Sequence, residues 1–272
     1  LEIRFRLLHF ITIMENLKPY YFTLAKEEEI FTHAYENKIP ILLKGPTGTG
    51  KSRFVEYMAH KLKKKLLTVS CHEETSSTDL IGRFIIKGAE TVWIDGPLTT
   101  ALKKGYLLYL DEIAEARPDV IVAIHSLTDH RRELFIDKLG QTYKADDNFM
   151  LVASFNPSYQ RGFKELKPST KQRFIALSFQ YPESKIETEI ITMETGINTD
   201  LAKKIVTIGN KIRNLTELGL TETVSTRLLI NAAKLIQTGL PKRLSMHTAV
   251  VEPLTDDLQT IQSLKDLCDL MI

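Results

Sequence analysis

Gly45-Pro46-Thr47-Gly48-Thr49-Gly50-Lys51-Ser52 follows directly on the apolar run Ile39-Pro40-Ile41-Leu42-Leu43-Lys44. The eight residues fit the phosphate-binding loop pattern G-x-x-x-x-G-K-[ST]. They also stand in the context that gives the pattern meaning, after a strand-like run and before a helix expected over 53–63. Gly45, Gly48 and Gly50 reach backbone conformations closed to other residues, so that consecutive N–H groups turn inward around phosphate oxygens. Lys51 would then reach the β- and γ-phosphates, and the Ser52 hydroxyl would ligate Mg²⁺. The helix that starts here adds its positive dipole end to the same place. Pro46, Thr47 and Thr49 complete the cradle. The segment is expected to bind a nucleoside triphosphate with Mg²⁺.

The rest of the composition is that of an ordinary globular chain, with 272 residues, 43% hydrophobic, 26% charged and a net formal charge of +2. So small a net charge gives no electrostatic footprint for nucleic acid. The run Lys61, Lys63, Lys64 and Lys65 reads as a solvated helix end. Cys71 and Cys268 have neither metal-ligand spacing nor a disulfide framework, which fits a reducing cytoplasm. The apolar stretch from Phe5 to Met14 is too short to span a bilayer and carries Arg6 and His9, so no membrane insertion is expected. Residues 1–16 are taken as an uninformative extension, with Met14 a candidate start.

Between Tyr20 and about Tyr181 short apolar runs alternate with helical periodicity, the pattern of a parallel sheet flanked by helices. Strands are expected at Ile39–Lys44, Leu66–Cys71, Tyr106–Leu110, Met150–Ser154 and Ala176–Phe179. Two hairpins interrupt the alternation. One runs from Phe84 to Asp95 with a turn at Lys87-Gly88-Ala89-Glu90, the other from Glu133 to Tyr143 with Leu139-Gly140 at its tip. Beyond Tyr181-Pro182 only helical spacing remains, as in Ile186, Ile190, Ile191 and Leu201, Ile205, Ile208, Ile212. A nucleotide-binding domain over 17–182 and a helical domain over 183–272 are expected.

Tyr106-Leu107-Leu108-Tyr109-Leu110-Asp111-Glu112 is an apolar strand ending in two acids, the Walker B arrangement. Asp111 would hold Mg²⁺ from its outer coordination sphere, and Glu112 would polarise the attacking water. In Val152-Ala153-Ser154-Phe155-Asn156-Pro157 the Asn156 amide can donate to a γ-phosphate and accept from a water; an Asn-Pro turn is the plain alternative. Arg173, at the end of the helix in Leu166–Phe174, and Arg227, at the start of one in the second domain, supply cations suited to a transferring phosphoryl group. Taken singly, either arginine fits a surface role better. Trp93 is read as pinning the first hairpin to the core, with a binding contact by Trp93 or Phe84 as the alternative. Met193 and Met246 are read as core.

The succession of phosphate loop, Asp-Glu strand end, polar sensor, finger arginine and helical-domain arginine resembles an AAA+ ATPase. The two hairpins resemble those of the MoxR clade. Asp79-Leu80-Ile81-Gly82, Glu90-Thr91-Val92-Trp93-Ile94-Asp95-Gly96-Pro97-Leu98, Leu166-Lys167-Pro168-Ser169-Thr170 and Val251-Glu252-Pro253-Leu254-Thr255-Asp256-Asp257 resemble the CbbQ/NirQ/NorQ subfamily. Departures are Lys171 in place of a second arginine, Ser158 in place of glycine and Ile94 in place of a polar residue. The resemblance implies an αβα sandwich with a smaller all-helical lid, and a ring, expected as a hexamer, with ATP at subunit interfaces. It also implies a partner with a von Willebrand A domain and a client enzyme, Rubisco or a nitric oxide or nitrite reductase. A GTPase would need an Asn/Thr-Lys-x-Asp segment, which is missing. A small-molecule kinase and a DNA-directed AAA+ motor are the competing readings; the first has no use for the Asp-Glu, Asn156 and Arg227 set, the second conflicts with the near-neutral charge.

Overall fold

The computed structural model describes residues 19–157, 166–215 and 223–272; the expected extension over 1–16 and the departure at Ser158 lie outside the described residues. Strands β1 (Ile41–Lys44), β2 (Leu66–Ser70), β5 (Leu107–Asp111), β8 (Met150–Phe155) and β9 (Ile175–Ser178) form a parallel sheet in the order β2-β5-β8-β1-β9. The three central strands read as unbroken apolar runs because both faces are covered, and almost every side chain in them is buried. Helices Lys51–Lys61, Pro97–Lys104 and Pro118–His125 flank the sheet, giving the αβα arrangement expected. The hairpins are β3 (Gly82–Lys87) with β4 (Glu90–Asp95) and β6 (Glu133–Ile136) with β7 (Gln141–Lys144).

Two local differences from the sequence reading have simple causes. Strand β1 starts at Ile41, because Pro40 has no N–H to give the ladder and Ile39 is exposed. The helix after the phosphate loop runs over Lys51–Lys61, and the chain turns away at Lys63, which has a left-handed φ of 54°.

Contacts divide the chain into two compact units. One holds the sheet and hairpins up to Ser178; the other holds the helices from Phe179 onward together with the loop tip Pro46–Gly50. The core of the second unit is built from Ile191, Ile205, Ile208, Ile212, Leu229 and Met246. Met193, expected in that core, is exposed. Its helix, Ser184–Thr195, buries the stripe Glu187, Thr188 and Ile191, and Met193 lies two residues beyond it on the opposite side. The stripe includes a fully buried carboxylate, Glu187, that apolar periodicity does not reveal.

Trp93 is half-buried against the core of the first unit, edge to face with Phe84 at 5.1 Å, and its indole N–H donates to Asp95 Oδ1 at 2.7 Å. Pinning is therefore what its side chain does, while Phe84 and Ile86 are left exposed. Gly82 makes this possible. Its φ is +137°, and a methyl group there would come within 2.4 Å of the Ile94 carbonyl oxygen and 2.7 Å of the Trp93 ring. Gly82→Ala should destabilise the protein by about 3 kcal/mol or more. Gly88→Ala, at the open hairpin tip with φ +65°, should cost only about 1 kcal/mol. Urea denaturation of the two variants checks the contrast, and equal midpoints would contradict it.

Candidate nucleotide-hydrolysis site

Because β8 lies between β5 and β1, the carboxyl ends of all three strands open at one edge of the sheet. Leu43 pairs with Ser154 and Lys44 with Phe155, while Leu110 pairs with Ala153. Asn156 therefore leaves the sheet between the start of the phosphate loop at Gly45 and the Asp111-Glu112 strand end. In open α/β sheets this is where ligands are bound.

The loop has the geometry expected of it. Gly45, Gly48 and Gly50 have φ of 154°, 74° and 92°. Lys51 opens the helix and its ammonium donates to the Gly45 carbonyl at 2.7 Å, so the cation is folded over the loop. The Thr49 hydroxyl donates to the Pro46 carbonyl at 2.9 Å, closing the loop tip on itself.

Asp111 collects three hydroxyl groups. Tyr109 donates to Oδ1 at 2.7 Å and Ser154 to the same oxygen at 2.5 Å, while Ser52 donates to Oδ2 at 3.2 Å. The Ser52 and Tyr109 oxygens are 3.3 Å apart. Burial, reinforced by the charge of Asp111, raises the Tyr109 phenol far above its ordinary pKa, so it remains a donor at any physiological pH. Ser154 does double duty: fully buried, its oxygen also accepts the Glu112 backbone N–H at 3.0 Å. Glu112 needs that anchor, since it adopts a left-handed conformation at φ 54°, ψ 47°, which is uncommon for a side-chain-bearing residue. Glu112, one residue past the end of the strand, is exposed. Cys71 borders the site through its N–H, which donates to the Asp111 carbonyl at 2.8 Å. Its thiol is pushed up to about 12 by burial and by the charges of Asp111 and Glu112, so it is not a nucleophile.

The two arginines have different surroundings. Arg173 stands two residues beyond the helix Pro168–Lys171, and its Nη1 donates to the His125 carbonyl at 3.2 Å and lies 3.7 Å from Asp129. Asp129 is itself gripped by the Arg131 guanidinium, which holds its carboxyl down to about 2. Burial and the neighbouring charges of Arg173 and Lys167 lower the His125 pKa. Lys171 sits 5.3 Å over the Phe155 ring. The structure thus does not bring Arg173 onto the loop or the Asp111-Glu112 pair of its own chain, where none of its described partners lies. Arg227, one residue into the helix Thr226–Gln237, is exposed and has no ion pair among the described residues. Ser225, the cap of that helix, abuts the loop tip: a methyl group on Gly48 would come 2.5 Å from Ser225 Cβ, with Arg227 Cβ 3.6 Å away.

Sequence reasoning missed Tyr109, Ser154 and the contact made by Tyr181, whose hydroxyl donates to the Thr47 carbonyl at 3.1 Å. The available signal for Ser154 was a lone hydroxyl in an otherwise apolar, fully buried strand, Met150–Phe155. The lysine run stays at the surface, with Lys61, Lys63 and Lys65 exposed; Lys61 pairs with Glu28, Lys64 donates to Asn148 Oδ1 at 2.8 Å and Lys65 lies 5.6 Å over the Tyr106 ring. No group of three or more His, Cys, Asp and Glu side chains placed to hold a metal ion occurs among the described residues, and none of their helices is long and apolar enough to cross a membrane.

Comparison with known proteins gives the same picture. A model of the AAA domain, dynein-related subfamily, matches residues 40–174, and one of the CbbQ/NirQ/NorQ C-terminal region matches 187–271. The chain is 49% identical to Protein NorQ of Paracoccus denitrificans over 92% of each chain. It is 47% identical to the denitrification regulatory protein NirQ of Pseudomonas aeruginosa, over 95% of this chain and all of that one. With Protein CbbQ of Hydrogenophilus thermoluteolus it shares 50% identity over 88% of this chain and 90% of the other. A RuvB mutant structure from Thermotoga maritima superposes with a TM-score of 0.56 at 17% identity, covering 90% of this chain and 69% of the other, which is a likeness of fold. Phosphate loop, strand-end acids, hairpins and helical C-terminal region thus converge with whole-length relatives near half identity: the chain belongs to the CbbQ/NirQ/NorQ family of AAA ATPases.

Proposed function

We propose that this ATPase is a ring-forming remodeller whose hydrolytic centre is completed by Arg173 of a neighbouring copy. It would work with a von Willebrand A-domain partner on a client enzyme, Rubisco or a nitric oxide or nitrite reductase. The observation that carries the reading is the hydroxyl-bound Asp111 beside a Glu112 locked in a left-handed turn, at the strand edge where the phosphate loop begins. In this reading residues 45–52 cradle the triphosphate and Lys51 contacts its β- and γ-phosphates. Glu112 draws the proton from a water whose oxygen bonds to the γ-phosphorus as the bond to the bridging oxygen breaks, releasing ADP and phosphate. Asn156 would orient that water, and Arg227 would face the developing charge from the helical unit.

Ser52 Oγ is a hard oxygen donor 3.2 Å from Asp111 Oδ2, so a Mg²⁺ on Ser52 would have the Asp111 carboxylate at hand to hold its outer coordination sphere. When bound, the ion would neutralise charge on the phosphate oxygens. Arg173 points to a role in trans because its described partners lie away from its own phosphate loop. Assembly as a hexamer would then place ATP between copies. The relatives named as denitrification regulatory proteins support a regulatory task on a metabolic enzyme. The exposed Phe84 and Ile86 of the first hairpin are the proposed client contact. Two buried free thiols fit a cytoplasmic setting.

Lys51→Ala should abolish ATP binding measured by calorimetry, whereas Glu112→Gln should bind ATP and hydrolyse it at a small fraction of the wild-type rate. Wild-type turnover by Glu112→Gln would remove Glu112 from the reaction. Arg173→Ala should bind ATP normally and lose on the order of 10³-fold in kcat. Mixing it with Lys51→Ala should restore part of the activity, as an intact arginine in one copy meets an intact loop in the next; mixed rings without recovery would contradict a role in trans. Ser154→Ala strands the Glu112 N–H and should cost about 1–3 kcal/mol of stability. It should also reduce kcat more than KM, and unchanged kinetics in the folded variant would show that this anchor is dispensable.

A further inference from the structure

Within the helical unit one buried ion pair reaches both neighbours of Ser225, the residue two before Arg227. Arg213, at the end of the helix Thr199–Arg213, makes a two-pronged contact with Glu187, Nη1 to Oε2 at 2.7 Å and Nη2 to Oε1 at 2.6 Å. Glu187 is fully buried and the Arg213 side chain is 9% exposed. Arg213 Nη1 also donates to Asn210 Oδ1 at 2.9 Å, and the pair's other hydrogen bonds go to the residues on either side of Ser225. Arg213 Nε donates to the Val224 carbonyl at 2.7 Å, and the Thr226 hydroxyl donates to Glu187 Oε1 at 2.6 Å. On its other side the guanidinium lies 4.3 Å from the centre of the Tyr181 ring, whose hydroxyl bonds the Thr47 carbonyl of the phosphate loop.

A buried pair of this kind is expensive to desolvate and contributes little to stability that apolar residues could not supply; its retention suits a requirement for fixed geometry. The geometry it fixes is specific. Val224 and Thr226 are clamped, so Ser225 between them is set against Gly48 and Arg227 follows in a defined direction. We propose that Glu187, Arg213 and Thr226 are positioning residues for Arg227, holding the start of its helix on the tip of the phosphate loop. The proposal rests on the reading of Arg227 as the cation that faces the developing phosphoryl charge. It assigns to the fork of Arg213 a task that lysine could not perform, because an ammonium cannot bond both carboxylate oxygens and the Val224 carbonyl in one plane.

Thr226→Val is the mildest probe, since it keeps volume and β-branching and removes only the hydroxyl that reaches Glu187. ATPase assays on the full chain, at a temperature where circular dichroism shows each variant folded, should give about a tenfold loss in kcat with KM for ATP changed less than about threefold. Thr226→Ser should restore the rate, and Arg213→Lys should reproduce the loss. The deciding measurement is the double variant: in an Arg227→Ala background neither Thr226→Val nor Arg213→Lys should lower kcat further, because the interaction they support is already gone. A kcat for Thr226→Val within twofold of wild type, or losses that multiply with that of Arg227→Ala, would overturn the proposal while leaving the role of Arg227 intact. Wild-type kcat in Arg227→Ala alone would instead remove Arg227 from the reaction, and the positioning proposal with it.

Discussion

The carboxylate of Asp111 is the constraint on which the site depends. A charged group at the end of a buried strand must be satisfied locally, and here three hydroxyls from three different elements do so: Tyr109 on β5, Ser154 on β8 and Ser52 on the helix after the phosphate loop. Satisfying one charge therefore fixes the loop's helix, the acid-bearing strand and the central strand relative to one another. Ser154 extends the constraint by one residue, since its oxygen also holds the Glu112 N–H and with it a left-handed turn that costs on the order of 1 kcal/mol. Strain held in this way fixes the backbone from which the exposed Glu112 side chain leaves the strand end.

Much of this was readable before the structure. The phosphate loop, the Asp-Glu strand end and the parallel order of apolar runs rest on patterns with strong local causes, and the sheet appears where those runs are. The missing parts share a different cause. Ser154 and Tyr109 look like strand filler until the register sets Ser154 opposite Leu43, one strand away from Asp111. Glu187 hides because its charge sits on the inward face of an otherwise ordinary amphipathic helix, and its partners Arg213 and Thr226 are 26 and 39 residues away in sequence. Met193 fails for the mirror-image reason: an apolar residue on the outward face carries no sign of its direction unless the buried stripe is known.

The arginines show how far a single chain can complete its own chemistry. Arg227 rides on a helix whose start is clamped by a buried ion pair, with Ser225 at that start beside the loop tip. Arg173 is held differently, by one carbonyl and one carboxylate at a half-exposed position, and Asp129 is shared with Arg131. Such a hold restrains the side chain without burying it, which suits a guanidinium offered to another molecule. Hydrolysis would then depend on two chains, one contributing Asp111, Glu112 and the loop, the other Arg173.

That dependence is the central claim, and ATPase activity per subunit as a function of protein concentration tests it most directly, with oligomer mass followed by light scattering in the same samples. Specific activity should be negligible at concentrations where the chain is monomeric and rise in step with assembly, reaching a plateau once rings are complete. Constant specific activity from monomer to assembled state would contradict the account, because a single chain would then hold every group that hydrolysis requires.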